Sequence, residues 1–253
     1  MSEQLSTGTT YGGSSVGAGE TYAAAGPDTD VHAASPLSKA ENDALTVEST
    51  PDLSVFGPDI VAKAQVQKAT YPETRSALLP MLHLVQSVEG FVSQAGIEFC
   101  ARQLNLTNAE VSAVATFYTM YKRRPTGRHL VSVCTNTLCS VLGGQRIMDA
   151  LSSDLGVHHD ETTADGSITL EHAECLAACD YAPVVTVDYE FYDQQDVESA
   201  RELVAALRRG EKPVPTRGAP LTDFKGISRQ LAGFSPRRSA ATSARALSTS
   251  CWS

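Results

Sequence analysis

Four cysteines in two close pairs are the residues of this chain best suited to chemistry. Cys134 and Cys139 lie in the segment VCTNTLCS, and Cys175 and Cys179 lie in AECLAACDYAP, after a gap of thirty-five residues. Two cysteines four or five residues apart can direct both sulfurs at one metal from a single loop. Two such pairs supply the four thiolates that iron–sulfur clusters and zinc both accept. Zinc sites usually use closer C-x2-C pairs, although their range includes these spacings, so both metals stay open.

The residues around these cysteines resemble a known family. CTNTLC, ECLAACDYAPVV and the upstream VATFYTMYKRRPTG are similar to the thioredoxin-like [2Fe–2S] subunits of NADH-quinone oxidoreductase, respiratory complex I, over about residues 57–210. Members of that family have a helical N-terminal region ahead of the thioredoxin-like domain. The resemblance implies that Cys134, Cys139, Cys175 and Cys179 bind one [2Fe–2S] cluster.

The same resemblance implies an electron-transfer subunit that does not catalyse a reaction alone. In the family, this subunit packs on a larger flavin-bearing subunit, which carries FMN and oxidises NADH, among the other peripheral-arm subunits of a proton-translocating complex. FMN and NADH are therefore expected on the partner, and the chain is expected at the cytoplasmic face of the inner membrane. Two alternatives stay open. One is the corresponding diaphorase subunit of an NAD-linked hydrogenase or formate dehydrogenase, and the other is a zinc-stabilised scaffold that only binds partners.

The residues near the cysteines predict the redox behaviour of such a cluster. Small residues such as Ala177 and Ala178 let backbone N–H groups approach the sulfurs, and such hydrogen bonds stabilise thiolate and raise the reduction potential. The acidic neighbours Glu171, Glu174 and Asp180 act in the opposite direction and lower the reduction potential. We expect a low potential, nearer to the roughly −400 mV of plant-type ferredoxins than to Rieske values.

No other pattern in the chain indicates a complete active site. The glycines of residues 12–19 have no strand before them and no amphipathic helix after them, which argues against a dinucleotide-binding loop. A Rieske centre needs two histidine ligands in C-x-H and C-x2-H spacing. His158, His159 and His172 lack that spacing and are expected to be surface or loop residues.

Composition and charge exclude several functions. The net charge is −9 and the predicted pI is about 5.1, which argues against nucleic acid as a partner. Residues 1–210 carry −14 and residues 211–253 carry +5. A basic tail on an acidic body is compatible with contact to another protein or with solvation alone. No run of 18 apolar residues predicts a membrane span, and the N-terminus does not resemble a secretory signal. Cytosolic thiols are reduced, so the paired cysteines are interpreted as metal ligands and not as disulfides.

Ahead of the cysteines, a helical period predicts a small bundle over residues 57–125. Pro58 suits the first turn of a helix, Ser93 can cap another, and Thr107 with Glu110 forms a capping box for a fourth. Three buried faces follow i, i+3, i+4 spacing. They are Leu78, Met81, Leu82 and Val85; Ile97, Cys100, Ala101 and Leu104; and Val111, Val114, Ala115 and Tyr118.

From residues 128 to 210 the pattern predicts an α/β layer. HLVSVC, SITLEHA and PVVTVDYEFY are strands, the last with a bend or split near Tyr189. One helix follows Cys139 and ends at Gly156, and another is capped by Asp196. The order strand, helix, strand, strand, helix predicts helices on a mixed sheet, in agreement with a thioredoxin-like [2Fe–2S] domain.

The segment between the two parts is first aromatic and then basic. Four apolar side chains end the fourth helix: Phe117, Tyr118, Met120 and Tyr121. Core packing is their simplest role, and the family resemblance adds a platform for a partner protein as the alternative. Four cations follow: Lys122, Arg123, Arg124 and Arg128. A solvated loop is the usual interpretation, with contact to an anionic cluster or cofactor as the alternative.

Both ends of the chain are predicted to lie outside the folded part. Residues 1–52 are too poor in apolar side chains to offset their ordering entropy and are predicted to be disordered. Residues 211–253 are predicted to form an extended basic tail, in which Cys251 is a free thiol. Five apolar residues could anchor this tail along a partner: Leu221, Phe224, Ile227, Leu231 and Phe234.

Overall fold

Four α-helices form the first part of residues 51–234, the range that the computed structural model describes. They are α1 Pro58–Thr70, α2 Leu78–Glu89, α3 Gln94–Leu104 and α4 Asn108–Phe117, with a 3₁₀ turn at Thr74–Ala77. The predicted caps are confirmed, because Ser93 accepts an N–H of α3, and Thr107 and Glu110 make both bonds of the capping box. The predictions for residues 1–50 and for Cys251 lie outside the described residues.

The predicted apolar stripes meet in one core between these helices. Their fully or almost fully buried members are Leu78, Met81, Leu82, Val85, Ile97, Cys100, Ala101, Leu104, Val111 and Ala115. Burial raises the pKa of the Cys100 thiol, which acts as a small core residue, as predicted. The prediction for Tyr118 is wrong, because α4 ends at Phe117. A turn closed by the Tyr121 N–H on the Tyr118 carbonyl (3.2 Å) follows, and it brings Tyr121 into the core.

His83 is a buried ionisable side chain in α2. It is 6% exposed, and its ring centroid lies 4.9 Å from that of Tyr121. Its Nδ1 atom has no hydrogen-bond partner among residues 51–234. Loss of hydration lowers the pKa of His83 to about 4, so the ring is neutral at pH 7.

Lowering the pH from 7 to 5 is expected to reduce the free energy of unfolding by about 2 kcal/mol through His83 alone. The unfolded chain binds a proton on this histidine near pH 6.5, whereas the folded chain binds it only near pH 4. Stability is therefore lost as the pH falls through this window. Urea unfolding at both pH values measures the effect. A His83→Phe variant should lack this part of the pH dependence, and an unchanged dependence would contradict the assignment.

A mixed sheet of five strands follows in the chain, in the spatial order β2-β3-β1-β4-β5. The strands are β1 His129–Cys134, β2 Glu161–Thr162, β3 Ile168–Ala173, β4 Val185–Val187 and β5 Glu190–Tyr192. β1 pairs parallel with β3, and the other pairs are antiparallel. The three predicted strands are confirmed, and the last one divides at Asp188 and Tyr189, whose φ values are 48° and 67°. The two-residue β2 is not predicted, because its surroundings are polar and without period.

A buried hydrogen-bonded pair supports this division. His129 Nδ1 lies 2.6 Å from the Asp188 carboxylate, which also accepts the Leu130 N–H at 2.9 Å. Burial raises the pKa of Asp188, and the bonds from His129 and Leu130 oppose that rise. The carboxylate thus fixes the turn between β4 and β5 to the start of β1.

One face of the sheet is apolar and packs on two helices. The helices of this part are α5 Thr137–Val141, α6 Gly144–Leu155 and α7 Val197–Arg208. Strand residues Val131, Val133, Leu170, Val185 and Val187 form one buried cluster with Ile147, Leu151, Val204 and Leu207. This arrangement confirms the predicted α/β class with a mixed sheet.

The opposite face of the sheet carries a polar row. Ser132 on the central strand lies opposite Glu171 on one side and Thr186 on the other. Two residues further along, Cys134 lies opposite Ala173. Because side chains alternate along a strand, Ser132 and Cys134 share this face.

Residues 211–234 correct the prediction of an extended tail. Helix α8, Phe224–Leu231, begins at the capping residue Asp223. Phe224 and Ile227 are buried in one cluster with Leu130 of the sheet. These predicted anchors pack on the chain itself, because their spacing makes one apolar helix face that covers the sheet and α2.

Gln86 joins this tail helix to the bundle. Its buried amide donates to the Met120 carbonyl (3.1 Å) and the Ser228 hydroxyl (3.3 Å), and its oxygen accepts the Lys122 N–H (2.8 Å). Gln67 donates to the carbonyl just after α8. The predicted division into a bundle and an α/β domain stays a prediction, since the tail helix packs on both. Of the helices in residues 51–234, none has the length and apolar character needed to cross a membrane.

Candidate metal centre

Cys134 and Cys139 lie on the first of two loops at one end of the sheet. Cys134 is the last residue of β1, and its N–H donates to the Val184 carbonyl at 3.0 Å. Cys139 lies in α5, which begins where the Asn136 side chain accepts the N–H of the first helical residue at 2.8 Å. Each cysteine is 2% exposed, so this pair is buried.

Cys175 and Cys179 lie on the second loop, between β3 and β4, and both are exposed. The Ala177 N–H donates to the Cys175 sulfur at 3.4 Å, as expected for a small residue beside a ligand. Cys179 begins a single 3₁₀ turn. The Thr135 N–H donates to the Ala173 carbonyl (3.1 Å) and holds the first loop against the end of β3.

The two loops meet, and their thiols interact. Cys134 and Cys139 are buried in one cluster with Ala178 of the second loop. The pKa of Cys139 is raised to about 11, first by burial and then by a hydrogen bond with Cys134, with the charge of Cys179 adding to the rise. The pKa of Cys179 is also raised, by loss of hydration first and by the charge of Cys175 second. These two thiols are protonated at neutral pH unless a cation stabilises their thiolates.

Comparison with known families decides the class of this centre. Residues 64–208 match the model of the thioredoxin-like [2Fe–2S] ferredoxin family. The chain belongs to this family. It is 56% identical over 202 residues to a NADH-quinone oxidoreductase subunit of Mycobacterium tuberculosis, covering 78% of this chain and 79% of the relative. It is 37% identical over 147 residues to NADH-quinone oxidoreductase subunit 2 of Thermus thermophilus, covering 57% and 81%.

A solved structure is also similar. A crystal structure of an air-oxidised NAD⁺-reducing [NiFe]-hydrogenase superimposes with a TM-score of 0.48 at 18% sequence identity. The match covers 53% of this chain and 23% of the hydrogenase chain.

Membership of this family implies a [2Fe–2S] cluster and not a single metal ion. Among residues 51–234, no group of three or more metal-binding side chains is placed to hold one ion.

Gly144, the first residue of α6, lies directly against the backbone of the first loop. A Cβ at this position would be 2.3 Å from the Cys134 carbonyl oxygen and 2.9 Å from that of Cys139. Only glycine therefore allows α6 to approach the two cysteines so closely. The sequence signals this requirement only through the Gly143–Gly144 pair.

A cavity of about 830 Å³ opens beside the second loop. Its walls are residues 118–126, the polar row of the sheet and residues 173–176. The aromatic and basic segment therefore adjoins Cys175. The rings of His159 and His172 lie in the wall of this cavity, with centroids 4.2 Å apart and planes tilted by 49°. His158 and His159 are exposed and lie outside the strands, which confirms the prediction for them, whereas His172 is a half-buried residue of β3.

The aromatic part of that segment divides between core and surface. Tyr121 is 3% exposed and donates to the Leu79 carbonyl at 2.9 Å, which confirms core packing for this residue. Phe117 is 76% exposed, so the core-packing prediction is wrong for it. Its ring packs edge-to-face on Tyr118, which lies outside α4.

The basic part divides in a similar way. Arg123, Arg124 and Arg128 are exposed, in agreement with a solvated loop. Lys122 differs from them, because its ammonium pairs with the Glu171 carboxylate on the polar row. Sequence reasoning could not pair these two residues, which are 49 positions apart.

Proposed function

We propose that Cys134, Cys139, Cys175 and Cys179 bind one [2Fe–2S] cluster, and that the chain transfers electrons as the thioredoxin-like subunit of a proton-translocating NADH-quinone oxidoreductase. The observation that carries this proposal is the meeting of two cysteine pairs at one end of the sheet. The 56% identity to a subunit of that complex supports the choice of assembly.

The residues around the four sulfurs prepare the site for an anionic centre. When bound, the cluster would supply a centre that accepts and returns one electron. The Ala177 N–H donates to the Cys175 sulfur, which favours thiolate over thiol. The buried first pair excludes water from one side of the site.

The two cysteine pairs differ in their exposure to solvent. Cys175 and Cys179 reach the surface while the first pair does not. Electrons are therefore expected to enter and leave on the side of the second loop. This surface would face the flavin-bearing partner, on which FMN and NADH are expected, at the cytoplasmic face of the membrane.

Metal analysis of the purified full chain tests the cofactor. We expect about two irons and two acid-labile sulfides per chain, a visible absorption spectrum, and a low-temperature EPR signal after reduction with dithionite. A colourless protein with about one zinc per chain and no iron would overturn the proposal in favour of a zinc-stabilised scaffold.

Purification of the native assembly tests the partner. We expect an FMN-containing NADH-oxidising subunit and quinone reduction in the same complex. A complex that contains hydrogenase or formate dehydrogenase subunits instead would contradict this assignment while leaving the cluster intact.

A further inference from the structure

Lys122 and Glu171 form an ion pair on the polar face of the sheet, in the wall of the cavity. Their side chains are only 11% and 14% exposed. The second oxygen of the Glu171 carboxylate accepts the Ser132 hydroxyl at 2.6 Å. The backbone N–H of Lys122 donates to Gln86 at 2.8 Å, so the backbone that carries the ammonium is also fixed.

This pair lies one row of the sheet away from the candidate centre. Glu171 lies opposite Ser132, and Ala173 lies opposite Cys134. Two residues along a strand and one strand across correspond to roughly 8 Å between the Glu171 and Cys134 backbones. Both side chains are on the same face. Solvent screens charges poorly at this distance when they are largely buried.

With the proposed cluster as its basis, we propose that Lys122 sets the reduction potential by cancelling the charge of Glu171. Reduction adds an electron to a centre that four thiolates already make anionic. An unpaired carboxylate at this distance would make this reduction less favourable and lower the potential. The ammonium of Lys122 offsets that effect. The sequence places Glu171 among the residues that lower the potential, whereas its pairing offsets this effect. The pair exchanges neither electrons nor protons with the centre.

The other acidic, basic and histidine side chains around the cavity have more access to water. They are Arg123, Arg124, His159, Asp160, His172 and Glu174. Asp160 is 51% exposed and lies 3.8 Å from the Lys122 ammonium, and the rest are exposed or partly exposed. Solvent screening weakens their effect on the centre relative to the buried pair.

Three variants of the full chain test this role: Lys122→Met, Glu171→Gln, and the two combined. Redox titration monitored by EPR gives the midpoint potential, after iron and sulfide content has been measured. We expect Lys122→Met to lower the potential and Glu171→Gln to raise it. The double variant should return close to the parent value. Loss of packing alone would not produce opposite shifts that cancel.

Lys225→Met is the matched control, because it removes a lysine charge from the exposed side of α8 and should leave the potential unchanged. Shifts of Lys122→Met and Glu171→Gln in the same direction, or no shifts, would overturn the inference. If Lys122→Met does not bind the cluster, an unchanged or lower potential in Glu171→Gln is enough to overturn it. A parent protein without iron or EPR signal would instead overturn the proposed function.

Discussion

Replacing Cys139 with serine is expected to remove most of the cluster iron from the purified protein. Cys139 is buried in one cluster with Cys134 and with Ala178 of the second loop. A serine hydroxyl at neutral pH is a far weaker ligand than thiolate for iron. The loss in affinity should exceed the roughly 10- to 100-fold that removal of an outer hydrogen-bond partner causes.

Iron and sulfide content, visible absorption and EPR together measure this loss. Cys100→Ala is the matched control, because Cys100 is fully buried in the helical bundle and lies outside the cysteine loops. This control should keep its iron and lose only about 1 kcal/mol of stability, the contribution of one small buried group. Full iron content and an unchanged spectrum in Cys139→Ser would show that the ligand assignment is wrong.

Gly144→Ala is expected to disturb cluster binding without touching a ligand side chain. The added methyl group would lie 2.3 Å from the Cys134 carbonyl and 2.9 Å from the Cys139 carbonyl, and neither backbone oxygen can rotate away. Either α6 or the first loop must shift. We expect a loss of about 1–3 kcal/mol in the free energy of unfolding, together with reduced iron content.

Denaturant unfolding and iron analysis of the same preparations separate these two effects. Gly57→Ala provides the control, because a Cβ at Gly57 meets nothing within 4 Å and its φ of −59° suits alanine. It should change stability by less than about 1 kcal/mol and leave iron content unchanged. Parent-like iron content and stability in Gly144→Ala would show that the loop tolerates displacement of α6.

Elements that depend on local pattern were predictable from the sequence. The caps at Ser93 and Thr107 follow from side chains that bond to their own helix ends. The buried strand β1 follows from a continuous apolar run that leads to Cys134. The cysteine loops followed from spacing and from the family resemblance together, since spacing alone left zinc and iron–sulfur open.

Features that depend on contacts between distant residues were not predictable in this way. The pairing of Lys122 with Glu171 requires the register of β1 on β3 and the position of the segment after α4. The glycine requirement at Gly144 arises from two backbone oxygens that α6 approaches only in the folded chain. Composition predicted an extended tail around Phe224. The helix that forms there is stabilised by packing on other elements and not by its own length, so composition does not reveal it.

The position of α8 has a consequence for how the chain folds during synthesis. Gln67 and Gln86 bond to groups 165 and 142 positions further along the chain. The N-terminal helices therefore leave the ribosome on the order of 10 s before the segment that completes their core. Such long-range closure is slow, and the apolar surface beneath Phe224 and Ile227 stays open to water until residues 224–231 have been synthesised. Nascent chains that stop short of residue 224 are thus expected to be the aggregation-prone species in the cell.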